Sequence, residues 1–397
     1  MRPDFTYYEF FAGGGLARLG LGPGWRCLFA NDISATKGES YRANFDGADE
    51  LLIADINDVR VANLPERATL AWASFPCQDL SLAGAGRGID GERSGAFWPF
   101  WRLLLQLQRD GRGVPVVVIE NVVGLLSSNN GQDFVQLSRV IAEAGYNLGA
   151  LVINADRFVP QSRPRLFIIA VDRSWDIAEE LVQFAPYGIW QPKHLIAAYK
   201  RLPAEVKKRW LWWNLPMPPK TPPHLRELIE REPEGVEWHT AEETQRLLSL
   251  MSDANLAKVK AAQAIGKLHV GTIYKRTRKK DGKSVQRAEV RFDGISGCLR
   301  TPAGGSSRQI ILVVEGDSVR SRLLSPREAA RLMGLSDTYL LPARYNEAYH
   351  LMGDAVVVPV IAWIERHILR ELVRGQNTKA DKASQEWRAS QLSLADF

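Results

Sequence analysis

"FTYYEFFAGGGLARLG" (Phe5–Gly20) decides how the first half of the chain is read. An aromatic, apolar run gives way to three glycines and then to residues with helical spacing, the order of strand, tight turn and helix. Glycine lets backbone approach a ligand closely, and a helix start offers free N–H groups. Counted from Gly13, a dinucleotide fingerprint needs glycine at position 18, but Arg18 stands there and the NAD reading loses its third glycine.

Six more β-prone runs follow: "WRCLFAND", "LLIADI", "ATLAWASF", "VPVVVIEN", "LGALVIN" and "LFIIAVD". Between them lie segments such as "GQDFVQLSRVIAEAG" (Gly131–Gly145), whose apolar spacing is helical. The alternation predicts an α/β fold with a doubly wound, mostly parallel sheet, in which ligands collect at the carboxyl ends of the strands. Asp32 closes the second run and Asp55 lies at the end of the third. An acid in the first position can accept from ribose hydroxyls, and a polar group in the second can accept from an adenine amino group. Both serve equally as helix caps. An adenosine ligand is implied.

With 397 residues the chain can bury one large core and a smaller one without cross-links. Its three cysteines, Cys27, Cys77 and Cys298, show no paired spacing, which argues against disulfides and zinc and fits a reducing, cytoplasmic setting. The histidines have no ligand spacing, so no metal is expected. The first fifteen residues carry an acid and aromatics where a secretory leader has a basic start and an apolar run. The most apolar run, Val114–Leu126, is too short to span a membrane and contains Glu120 and Asn121.

The net charge of +6 permits nucleic-acid binding without requiring it. Its distribution is more informative, because Gly271–Arg291 contains eight basic and two acidic residues. From about Ser174 the alternation ends in a Pro- and Trp-rich stretch. One helix is predicted over Ala241–Ala264, then a hairpin turning at Asp281-Gly282. A further helix starts at Ser325-Pro326, with Ser as N-cap and Pro in the first position, and another follows "MGDAV".

Eight ordered blocks resemble the DNA (cytosine-5) methyltransferases: "FAGGG", "ND", "AD", "PCQ", "ENV", "QSRPR", "LLSPREAARLMGL" and "GDAV". The resemblance covers about residues 5 to 173 and 298 to 372. It implies a Rossmann-like S-adenosylmethionine-dependent methyltransferase core with a smaller mixed target-recognition domain. The expected units are the catalytic core at 1–173, target recognition at 174–297, a return to the core at 298–374, and a polar, mobile tail at 375–397. It also implies transfer of a methyl group to C5 of a flipped-out cytosine in duplex DNA.

Cytosine C5 is a poor nucleophile, so chemistry of this kind begins by adding a thiolate to C6. The resemblance assigns that role to Cys77. It assigns Glu120 to the N3 edge of the base, Arg163 to holding Glu120 and the base, and Arg165 to the base oxygen or the pocket wall. The implied donor, S-adenosylmethionine, would meet Phe11, Ala12, Gly13, Gly15, Asp32, Ile33, Asp55, Ile56, Pro76, Asp354 and Ala355. Gln78, Ser81 and Arg93, in the glycine-rich segment after Cys77, would contact DNA as part of a lid. The basic hairpin would add Lys275, Arg276, Arg278, Lys279, Lys280 and Lys283, with Arg308 nearby.

This chain departs from the family pattern in three places. Leu16 replaces a common glycine, the run Asn154–Gln161 is one residue shorter, and Asp354 stands where asparagine is usual. An acid there could contact the donor's sulfonium or repel its carboxylate. The enzyme is expected to be a monomer, and either the modification partner of a restriction endonuclease or a solitary methylase. The alternatives are an RNA cytosine-5 methyltransferase on the same fold and a catalytically silent DNA-binding regulator.

Overall fold

Val116–Ile119 is almost wholly buried and alternates between two apolar cores, Val116 and Val118 facing one and Val117 and Ile119 the other. Burial of both faces is what an apolar, β-branched run demands of a central strand. A computed structural model of the chain describes residues 5–76, 95–219, 222–280, 283–301 and 308–376, with the side chains of 278–280 and 283 outside the description.

The first half runs β1 (Phe5–Phe10), α1 (Leu16–Leu21), β2 (Trp25–Asp32), α2 (Ala35–Asn44), β3 (Leu51–Ile53), β4 (Leu70–Ala73), α3 (Phe97–Arg109), β5 (Val116–Val122), α4 (Gln132–Glu143), β6 (Tyr146–Asn154) and β7 (Pro164–Asp172). These seven strands form one sheet in the order β3-β2-β1-β4-β5-β7-β6. Only β7 runs against the rest. The order reverses beside β1, so the glycine turn after β1 and the ends of β4 and β5 open onto one edge. All seven sequence-predicted strands are present, and the expected doubly wound sheet is observed.

The expected unit 174–297 is divided by packing. β8 (Val182–Gln183) pairs with β9 (Trp212–Trp213), and between them lie α5 (Lys193–Lys200) and α6 (Ala204–Lys207). Leu195, Val206 and Trp210 join the core of the first sheet, and Leu148 of β6 exchanges backbone hydrogen bonds with Arg209 and Leu211. The tryptophans are therefore packing groups of the large lobe.

The smaller lobe follows α7 (Leu225–Leu228). It holds α8 (Ala241–Ser249), α9 (Asp253–Ile265) and the antiparallel sheet β11-β10-β12-β13, made of β10 (His269–Lys280), β11 (Lys283–Arg291), β12 (Ile310–Glu315) and β13 (Ser318–Leu323). Its second pair of strands lies beyond residue 297, where the sequence places the return to the core. The single helix expected over 241–264 is two. Leu250 accepts a backbone hydrogen bond from Ala288 of β11, so the chain leaves the helix to meet the sheet, and Ser252 starts α9 in extended backbone.

α10 (Pro326–Leu332) starts with Ser325 and Glu328 as a reciprocal capping box. α11 (Tyr345–Asp354) and α12 (Val358–Ile364) then pack on the first sheet beside α1. The helical run Tyr345–Gln376 is long and apolar enough to cross a membrane by composition, but 56% of its apolar window is buried inside the protein. Ile361, Ile364 and Ile368 are fully buried, which marks it as a core element.

Candidate active site

At the end of β1, Phe11 adopts left-handed backbone (φ 60°), a conformation that costs a non-glycine residue on the order of 1 kcal/mol. Gly15, also left-handed, starts α1, and a Cβ there would lie 2.3 Å from the Phe45 ring. The Gly13 N–H donates to Asp32 Oδ2 (2.8 Å), and the Ser34 N–H donates to Asp32 Oδ1 (2.8 Å). Each Asp32 oxygen thus already accepts one bond from the chain and retains a second lone pair for a ligand. Asp55 Oδ1 accepts from the backbone and side chain of Asn57. Neither acid caps a helix: the N-cap of α2 is Ser34, whose hydroxyl accepts from the Lys37 N–H, and Asp55 closes a turn with Asn57.

Ile33 is 69% exposed, Ile56 is buried and Pro76 is exposed. Space is open around Gly13, since a Cβ there would meet no atom within 4 Å. Exposed Ile33, next in the chain to Asp32, joins apolar surface to a carboxylate, the chemistry an adenosine needs. Arg18, which breaks the dinucleotide pattern, donates to Tyr41 and Glu50 and lies 4.3 Å over the Phe45 ring.

Asp354 ends α11 and does not stand alone. Its Oδ2 lies 2.7 Å from Lys37 Nζ of α2, and its Oδ1 accepts from the Thr301 hydroxyl. The close approach depends on Gly353, where a Cβ would come within 2.8 Å of Thr301 N. The charge considered above as free to act on the donor is thus paired.

Across the edge, Glu120 near the end of β5 is 7% exposed. Burial pushes its carboxyl above the usual range, while Arg165, Arg163 and a hydrogen bond from Ser74 pull the other way. Arg165 Nε lies 3.2 Å from Glu120 Oε1. The expectation that Arg163 grips Glu120 is corrected. Arg163 donates to the carbonyls of Leu299 (2.8 Å), Gly353 (2.9 Å) and Ala355 (2.7 Å). Burial, with Arg165 beside it, pulls its guanidinium down to about 10.

The sheet register explains the exchange. Arg165 lies opposite Val122 and Phe167 opposite Glu120, so Arg165 is the diagonal neighbour of Glu120 on the sheet. Arg163 precedes β7, where it reaches three carbonyls of the returning chain. Gln161 strengthens the same junction, donating to Leu332 O (2.8 Å) and accepting from Leu299 N–H (3.1 Å).

The profile of the C-5 cytosine-specific DNA methylases matches residues 5–370. The chain belongs to this family. It is 24% identical over 390 residues to Type II methyltransferase M.HpaII of Haemophilus parainfluenzae, covering 94% of this chain and 91% of that protein. Type II methyltransferase M.HhaI of Haemophilus parahaemolyticus is also 24% identical, over 91% of this chain and 93% of its own length. Among solved structures, S. pombe Dnmt2 methyltransferase superposes with a TM-score of 0.54 at 17% identity, covering 94% of this chain and 99% of its own. A Spodoptera frugiperda DNMT2 mutant gives 0.57 at 16%, covering 92% and 99%. At such identities these structures show the fold, and the profile shows the family. The methylase therefore uses S-adenosylmethionine as methyl donor.

Cys77, Gln78, Ser81 and Arg93 lie outside the described residues, as do the side chains of Arg278, Lys279, Lys280 and Lys283 and most of the expected mobile tail. The hairpin itself is present, with β10 and β11 antiparallel and Lys280 opposite Lys283. Arg276 is exposed but lies 3.3 Å from Glu289 across the hairpin, and Lys275 is half-buried. Arg308 donates to Asn346 (2.5 Å).

Sequence reasoning missed four groups. Asn121 Nδ2 donates to Phe75 O (3.0 Å), tethering the segment that leads to Cys77, and its place in "ENV" was the available signal. Ser74 accepts from Trp72 Nε1 (3.0 Å) and bonds Glu120. Lys37 and Cys298 carried no signal, since their partners are distant in sequence.

Proposed function

We propose that the methylase modifies C5 of cytosine in duplex DNA through a covalent adduct between Cys77 and C6 of a base turned out of the helix. The buried Glu120 paired with half-buried Arg165, at the edge reached by the strand that leads to Cys77, carries this reading. When bound, S-adenosylmethionine supplies a methyl group on a positively charged sulfur. Phe11, Gly13, Asp32, Ile33, Asp55 and the turn at Asp354-Ala355 would hold it.

The Cys77 thiolate gives an electron pair to C6, and the C5–C6 π pair moves onto C5, which becomes nucleophilic. Glu120 holds a proton at N3 and so offsets the negative charge that develops on the ring. Its burial favours the protonated carboxyl to a higher pH than an exposed glutamate would allow. Once C5 carries the methyl group, loss of the C5 proton to water re-forms the double bond and expels the Cys77 thiolate. Bases stacked in a duplex are out of reach, which is why the cytosine must be flipped.

Two relatives named as Type II methyltransferases support a modification enzyme, acting beside a restriction endonuclease or alone. Lys275, Arg276 and the rest of the basic hairpin, with Arg308, are the proposed DNA contacts outside the pocket. Gln78, Ser81 and Arg93 are the proposed contacts from the lid.

Duplex DNA containing 5-fluorocytosine should form a denaturant-resistant complex with the enzyme and donor, because fluorine blocks the proton loss. Cys77→Ser should abolish both complex and transfer while keeping donor binding within about threefold. Label appearing in RNA cytosines and not in duplex DNA would replace the DNA reading with the RNA one.

A further inference from the structure

A second thiol lies among the groups that serve Glu120. Cys298 Sγ is 3.5 Å from Arg163 Nη1 and 3.9 Å from Arg165 Nη2, with Leu299 O at 3.3 Å. Its backbone is fixed from three sides. The Tyr274 hydroxyl donates to Cys298 O (2.9 Å), while Gln161 and Arg163 bind the N–H and carbonyl of Leu299. A Cβ on the preceding Gly297 would overlap Tyr274, so the segment has no slack there. The sulfur is half-buried and held against two guanidinium groups, one of which also holds a carboxylate.

We infer that Cys298 is a positioning residue for the transfer reaction, its sulfur drawing on the same Arg165 guanidinium that orients Glu120. The role rests on the reading of Glu120 and Arg165 as groups that act on the base. Two arrangements are available to the sulfur. A thiol donates to Leu299 O, whereas a thiolate accepts from Arg163 and Arg165.

Burial pushes the thiol up, but Arg163, Arg165 and Arg300 together bring it below the usual cysteine range. Tyr274 and Tyr349 also face it, and both phenols are pushed up mainly by burial, so they stay neutral. Glu120 lies beyond Arg165. A thiolate at Cys298 competes with Glu120 for positive charge and raises the pH at which Glu120 gives up its proton. Cys27 takes no part, because burial pushes that thiol up to about 12.

The test has two readouts. In wild type, Cys298→Ser and Cys298→Ala, the methyl-transfer rate is measured against pH. Both variants should move the limb on which rate falls with rising pH downward by about half a unit or more, since neither carries charge. An unchanged profile would overturn the role, and so would rescue of the wild-type profile by serine alone, which marks a packing or hydrogen-bonding function.

Independently of activity, iodoacetamide labelling of Cys298 in a Cys77→Ala protein is followed by peptide mass across pH. Its midpoint should lie below that of a free cysteine and return upward when Arg165→Met is added. An ordinary midpoint overturns the inference even if methyl transfer proceeds as proposed. A low midpoint, together with a wild-type enzyme that transfers no methyl to cytosine, would instead count against the proposed function.

Discussion

Glu9 on β1 and Glu120 on β5 are both buried near the ends of neighbouring parts of one sheet, at 2% and 7% exposure. They are held in different ways. Glu120 has a guanidinium at 3.2 Å and a serine hydroxyl, both fixed by strands beside it. Glu9 accepts a backbone bond from Arg18, and its Oε2 has no hydrogen-bond partner among the described residues. Burial pushes Glu9 up to about 8, against the pull of Arg18 and with Glu50 and Asp32 adding to the rise. A buried carboxyl with a fixed cation can exchange a proton with a ligand, whereas one without stays neutral and fills space beneath the glycine turn.

The two arginines test this contrast most strongly. Arg165→Ala should slow methyl transfer by about 100-fold or more while changing unfolding stability by less than about 1 kcal/mol, because it removes the partner of Glu120 from a partly exposed position. Arg163→Ala should act first on stability. It strands the carbonyls of Leu299, Gly353 and Ala355, and a loss of about 3 kcal/mol or more is expected. Urea unfolding and single-turnover transfer on both variants separate the two roles. Equal losses of stability would break the distinction.

That division of labour was not legible in the sequence, although the residues were. "QSRPR" names both arginines, but which one faces Glu120 depends on the β5–β7 register, a property of paired strands that one strand's sequence does not contain. The sheet was legible because seven apolar runs separated by turn residues leave few other ways to bury both faces. The break between α8 and α9 was hidden, since apolar spacing continues through Leu250 and only the contact with Ala288 interrupts the helix. β12 and β13 were hidden for a related reason, their partner β10 lying on the other side of the boundary drawn from motif order. Lys37 and Asp354 are 317 residues apart, beyond any periodic signal.

Glu9 supplies a second test, through pH. A carboxyl raised to about 8 in the folded chain and near 4.5 when unfolded holds its proton longer in the folded state. Its contribution to stability is therefore present below about 4.5 and is lost as pH rises through about 8. Glu9→Gln removes that loss while keeping an acceptor for Arg18. The variant should match wild type near pH 4.5 and exceed it by on the order of 4 kcal/mol at pH 8.5, measured by urea unfolding. A difference independent of pH would mean that burial does not raise the Glu9 carboxyl in the folded protein, and the contrast drawn from its missing partner would fail.

The smallest effect is expected at the Lys37–Asp354 pair, whose side chains are 25% and 44% exposed. Such a pair stabilises a fold by less than about 1 kcal/mol, so neither Asp354→Asn nor Lys37→Met should unfold the protein measurably sooner. Under the proposed function, in which Asp354 borders the donor, its consequence lies in charge balance there, since the donor carries one net positive charge. Asp354→Asn leaves the Lys37 cation uncompensated and should raise the donor KM about threefold at low salt, whereas Lys37→Met leaves the acid uncompensated and should lower it. Both shifts should shrink as ionic strength rises past about 0.5 M, and the double variant should return close to wild type. If both single variants move KM in the same direction, the pair acts through the geometry of the Gly353–Ala355 turn instead of its charge, and the donor end would then share the rigid, carbonyl-bound design that Arg163 gives the base end.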